Sequence, residues 1–230
     1  MRRSQRGQAM VEYVIILPVL VMLIFGTVQA AFIYSAKSSL NYAAFQGARI
    51  GALNGATYKG IRRGLVRGLT PLFAHGTSDD DMQAAKDEAA EEVDNFLLVT
   101  RISPSENDFG VFGEWDDELA DYSIANDNLM YRPATGIQDA NLLKIRVQYC
   151  YELIVPIVDR LLSAASRYAS GDIEGSFGRR SEQVVDNYSD ICQGSRGSER
   201  RGIVIASEVT VRMQSAPEQD LDGCSDMRCL

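Results

Sequence analysis

Few residues in this chain stand in patterns that support chemistry. A hydrolase or transferase needs a nucleophile beside a base, or a cluster of metal ligands. The sequence holds a single histidine, His75, in a loop-like stretch without a recognisable partner. Asp116 and Asp117 supply two carboxylates, but adjacency along the chain does not set them across a substrate. G-x-S-x-G, the Walker loop, H-E-x-x-H and the dinucleotide fingerprint are all missing. Asp79, Asp80 and Asp81 lack the order and the glycine of an EF-hand loop. The expectation is a protein that is not an enzyme, with no cofactor and no metal site.

Two features do call for chemistry of another kind. In Arg6-Gly7-Gln8-Ala9-Met10-Val11-Glu12-Tyr13 a lone carboxylate stands at the threshold of an apolar run. An acid inside a bilayer costs roughly 2.5–3.5 kcal/mol on insertion scales and marks a functional pairing. The plainer reading is that Glu12 sits at the interface and suits the positive end of a helix. The second feature is Cys150, Cys192, Cys224 and Cys229, which allow three pairings. Cys224 with Cys229 would close a short terminal loop, and Cys150 with Cys192 would tie a strand to a polar loop. Reduced thiols are the alternative, while a zinc site lacks paired C-x-x-C spacing.

These residues need an anchor and a domain to hold them. Residues 14–36 contain no charge and are mostly Val, Ile, Leu, Met, Phe and Ala. About 20 such residues cross a bilayer as a helix. A secretory signal peptide has a shorter apolar core and a small-residue cleavage site, and neither fits. Arg2, Arg3 and Arg6 keep the N-terminus cytoplasmic. The C-terminal part then lies on the oxidising side, where disulfides persist. A net charge of −8 argues against nucleic acid, leaving protein and membrane lipid as partners.

The N-terminal pattern resembles the processing motif of Flp-type and TadE-like type IVb pilins, with glycine, four residues, then Glu-Tyr. Leu17-Pro18-Val19-Leu20 and the segment from Asn41 to Arg49 are similar to the corresponding parts of TadE-like proteins, so about the first 55 residues carry the likeness. Further on it thins to residues 148–156 and 206–208, and TadE, TadF and more remote pseudopilins are not separated. The resemblance implies cleavage between Gly7 and Gln8 by a prepilin peptidase. Glu12 would then be the fifth mature residue and Tyr13 the sixth, with Glu12 pairing with a new amine on Gln8 of its own or a neighbouring chain. It also implies major and minor pilins, an inner-membrane platform protein and, indirectly, its ATPase as partners.

Beyond the anchor, one helix is expected from Gln8 to about Leu53, with a kink at Pro18. Gly47, Gly51 and Gly55 recur beside Ala43 at fourfold spacing, which permits close helix approach to the domain or to neighbours. Gly60, Gly64 and Gly68 continue the spacing among Lys59, Arg62, Arg63 and Arg67, a stretch expected to be a solvated or headgroup-facing connection. Ser78 begins a helix with Ala85, Ala89, Val93 and Phe96 on its inner face. Residues 108–127 are expected as an acidic surface loop with Trp115 as anchor. Alternation from Leu143 to Val155 and from Ile203 to Met213 gives two antiparallel strands. Pro156 opens a helix through Ile157, Leu161, Ala165 and Tyr168, and residues 170–201 form a long exposed loop.

The fold expected is α+β, a pilin-like ladle. Residues 1–7 are a cytoplasmic leader, 8–57 a long helix with its transmembrane part at about 14–36, and 58–230 a small periplasmic antiparallel-sheet domain with exposed loops. The function expected is a minor pilin or pseudopilin of a Tad/Flp pilus that initiates or caps filaments for adhesion. A bitopic scaffold of a secretion apparatus and an anchored periplasmic enzyme are the alternatives.

Overall fold

In a computed structural model the chain is α+β: a long N-terminal apolar helix leads into a small antiparallel-sheet domain. The structure describes residues 8–126, 136–155, 158–160, 162, 192, 200, 202–219 and 228–229. Helix α1 (Gln8–Leu53) runs for 46 residues and continues through Pro18. It ends where Gly55 (φ 64°) and Ala56 (φ 58°) turn left-handed, a conformation that glycine adopts without cost. Thr57 then caps α2 (Tyr58–Phe73), its side chain accepting from the N–H of Gly60.

Helix α2 is the main departure from the sequence reading, which treated this basic stretch as a connection. Gly60, Ile61, Gly64, Leu65, Gly68 and Leu69 form its buried face, a fourfold apolar-and-glycine stripe of the kind that packs a helix onto a neighbour. Arg63 and Arg67 lie exposed opposite. Helix α3 (Asp79–Phe96) starts at a reciprocal capping box between Ser78 and Asp81 and buries Ala85, Ala89, Val93 and Phe96.

Strand β1 (Leu97–Ser103) follows α3 directly, then α4 (Glu106–Phe112) and a hairpin of β2 (Gly113–Asp116) and β3 (Asp121–Ile124). The expected acidic loop at 108–127 therefore carries regular structure. Trp115 is no anchor, being 55% exposed and stacked edge-on against Tyr122. A short helix α5 (Ile137–Ala140) precedes β4 (Leu142–Glu152), β5 is Gly202–Arg212 and β6 is Arg228–Cys229.

The main sheet has the order β5-β4-β1-β6, with every pairing antiparallel. Strands β4 and β5 pair along their whole length, from Leu142 opposite Arg212 to Glu152 opposite Gly202. Leu143, Ile145, Val147 and Tyr149 are buried along β4, the period-2 face expected of a half-buried strand. They join Leu40, Ala43, Ala44, Ala48 and Ala52 of α1 and Ile61, Leu65 and Leu69 of α2 in one core. The helix expected after Pro156 and the loop expected at 170–201 lie largely outside the described residues.

Candidate functional site

Helix α1 has two regimes along its length. No described residue from Met10 to Val28 is buried, and Val14, Ile15, Ile16 and Leu23 are each more than half exposed. From Gln29 onward a stripe of Gln29, Ile33, Ala36, Leu40, Ala43 and Ala44, Ala48 and Ala52 turns into the domain. Among the described residues one helix is long and apolar enough to cross a membrane, and it is this one. The anchor is compatible with a single pass. Gly7 lies outside the described residues, and Gln8 opens α1. Glu12 and Tyr13 are exposed two residues into the apolar surface.

The glycines at fourfold spacing meet their own chain. A Cβ at Gly64 would stand 2.5 Å from the carbonyl oxygen of Gln46 and 2.6 Å from the Cα of Gly47, and one at Gly68 would stand 2.4 Å from the Cα of Ala43. Gly47 faces Leu65, and Gly51 faces Ile61 and Leu143. Gly55 has left the helix, and its N–H donates to Oγ of Ser215 at 2.8 Å. The row occupied by Gly47 and Gly51 is therefore taken up inside the chain. The outer part of α1 leaves Tyr34, Tyr42, Phe45 and Leu53 exposed instead.

Between α2 and α3 lies a cleft of about 770 Å³ lined by Lys59, Arg62, Arg63, Arg67 and Lys86 over an apolar floor that includes Val66. Arg62 is engaged there, forking onto both oxygens of Asp94 at 2.6 and 2.7 Å. Packing of Gly64 on Gly47 sets this cleft about 19 residues beyond Val28, roughly 28 Å along the helix axis.

Cys150 and Cys192 are joined by a disulfide across a sequence separation of 42. Cys150 is fully buried although it alternates with the inner face of β4, with Cys192, also buried, bonded against it. The N–H of Arg200 donates to the carbonyl of Cys192 at 2.8 Å. The Arg200 guanidinium forks onto Glu92 of α3 at 2.6 and 2.7 Å and stacks over Phe96 at 3.6 Å. Tyr149 donates to the same carboxylate at 3.0 Å, and burial, then the Glu92 charge, drives its phenol pKa far up. Cys224 lies outside the described residues, and Cys229 pairs with Val99 in the sheet.

Sequence reasoning missed Arg200 and two further anchors. Arg101 is 2% exposed, donates to the carbonyls of Glu218 and Gln219 at 2.8 Å each and sits over the Phe109 ring. Gln29, the one amide in the apolar run, is wholly buried, and its Oε1 accepts from the Val155 N–H at 2.9 Å. Neither carries a local signal beyond being a polar residue among apolar ones. Among the described residues no group of three or more His, Cys, Asp and Glu could hold a metal ion.

An exposed apolar helix at the N-terminus, joined to a folded α+β domain, makes a chain compatible with single-pass membrane anchoring. Within it, the family model described as TadE, TadE-like protein, matches residues 7–49. The N-terminal segment is thus TadE-like, which suggests a Tad pilus-associated protein with pilin-type partners. No curated protein and no solved structure matches the chain.

Proposed function

We propose that this chain is a minor pilin or pseudopilin of a Tad/Flp-type pilus that helps to initiate or cap filaments serving adhesion. The observation that carries the reading is the coincidence of the TadE-like match at residues 7–49 with a helix left bare of its own domain from Met10 to Val28. In this reading the N-terminus is cytoplasmic, a prepilin peptidase cuts between Gly7 and Gln8, and the domain lies in the periplasm. Glu12 then pairs with the new amine of a neighbouring subunit, since a lone charge in an apolar bundle is costly. Helix transfer from lipid into a bundle gains packing and charge pairing rather than exclusion of water.

A repeating subunit needs little beyond the processed helix, whereas a substantial domain on one flank of α1 suits an end position. The exposed row of Tyr34, Tyr42, Phe45 and Leu53 is the surface left for other pilins. Nucleotide hydrolysis comes from a cytoplasmic ATPase acting through a platform protein. Shearing tests the reading: the chain should appear at low abundance with sheared filaments from a strain making the pilus. Full retention in the membrane fraction would favour a bitopic scaffold instead.

A further inference from the structure

Gln29 stands well inside the uncharged run. The first charge after it, Lys37, lies eight residues on, roughly 12 Å along the helix axis. Five residues on, Tyr34 is 78% exposed, the position of an aromatic side chain at a membrane–water interface. Yet at the level of Gln29 α1 is already touched by the domain, where the chain leaving β4 passes at residues 153–155. Leu153 and Val155 are buried there, while Ile154 between them is 66% exposed.

Irregular backbone is tolerated at membrane depth only when its polar groups are satisfied by protein. Both groups of Val155 are: its N–H donates to Oε1 of Gln29 at 2.9 Å, and its carbonyl accepts from the N–H of Asp159 at 3.0 Å. This gives the single amide of an otherwise apolar run a specific task. We propose that residues 153–155 form a foot of the domain immersed in the outer edge of the bilayer, with Ile154 facing lipid and the Gln29 amide oxygen accepting from the Val155 N–H. The domain then sits on the membrane without a free stalk. The helix length in lipid alone is about 19 residues, Met10 to Val28, close to the ~30 Å hydrocarbon thickness.

The inference rests on the anchored reading above, and the test separates the two. In a Trp115→Phe background of the full chain, single tryptophans are placed by Ile154→Trp, Val21→Trp and Tyr42→Trp. Each variant is reconstituted in phosphatidylcholine bilayers, one set brominated near the headgroup end of the acyl chains and one near their methyl end, and the stronger quenching of the two is read for each tryptophan. An intact Cys150–Cys192 bond by mass is the sign of a folded domain. The foot predicts that the tryptophan at 154 is quenched at least about half as strongly as the one at 21, with the one at 42 spared. Quenching at 21 but not at 154 would overturn the foot and leave the anchor standing. Quenching at neither would overturn both.

Discussion

Gly64 and Gly68 are the points at which α2 touches the backbone of α1, and no larger residue fits there. A Cβ at Gly64 would lie 2.5 Å from a backbone oxygen that cannot rotate away. Gly64→Ala is expected to destabilise the domain by about 1–3 kcal/mol through overpacking, outweighing the better helix propensity of alanine. Gly110 in α4 is the control, since a Cβ there meets nothing within 4 Å. Gly110→Ala should be neutral or stabilising by up to about 1 kcal/mol, and denaturant melts of the two variants in micelles compare them directly.

Glu208 sets a residue-scale pH dependence. It lies opposite Arg146 in the β4–β5 register. Burial pushes its carboxyl up, but the hydrogen bond and charge of Arg146, with Lys144, outweigh this and hold the pKa below the usual 4.5. A depressed carboxyl stabilises the fold above its unfolded pKa, and the contribution fades as pH falls below about 4.5 through the lower folded value. Because Glu208 is 35% exposed, the amount is under about 1 kcal/mol. Glu208→Gln should flatten the acid limb of the stability curve while leaving the melting temperature nearly unchanged at acid pH.

At the scale of elements, Cys192 and Arg200 tie the sheet to α3, the first through its disulfide to Cys150 and the second through its fork onto Glu92. Removing the disulfide with Cys150→Ser and Cys192→Ser should cost about 4 kcal/mol, given the loop it closes. Arg200→Ala, which leaves Glu92 in a half-buried site without its fork, should cost about the same. Because the Arg200 N–H is hydrogen-bonded to the Cys192 carbonyl, the combined variant should lose less than the sum, which a double-mutant cycle in denaturant measures.

The elements legible in the sequence were those with a local period. These are the uncharged run of α1, the capped start of α3 at Ser78 with its stripe through Phe96, and the alternation of β4 and β5. Helix α2 was obscured because half of its inner face is glycine, a poor helix former that reads as loop. Its signal was there in Ile61, Leu65 and Leu69 at the same spacing. Trp115 misled because a large aromatic is read as core, whereas here it stacks on Tyr122 on an exposed hairpin. Arg101, Gln29 and Arg200 were illegible, since their partners lie about a hundred residues away and no local pattern announces a contact of that range.

For the whole molecule, the division of α1 organises the account: a bare length for lipid or a helix bundle, then a length claimed by the domain. Glu12 lies in the first, and the proposed pairing of its carboxylate with a neighbouring subunit's amine has a separable prediction. Glu12→Ala should be processed at the N-terminus as usual but fall out of sheared filaments by at least tenfold, the effect of losing about 1.4 kcal/mol or more. Normal processing together with normal incorporation would remove that role. The central claim is that the chain is matured as a TadE-like pseudopilin. The most direct measurement is the intact mass and N-terminal sequence of the membrane-purified protein from cells with and without prepilin peptidase. The account predicts a chain beginning at Gln8 only when the peptidase is present. An identical N-terminus in both, or cleavage after the apolar run, would contradict it.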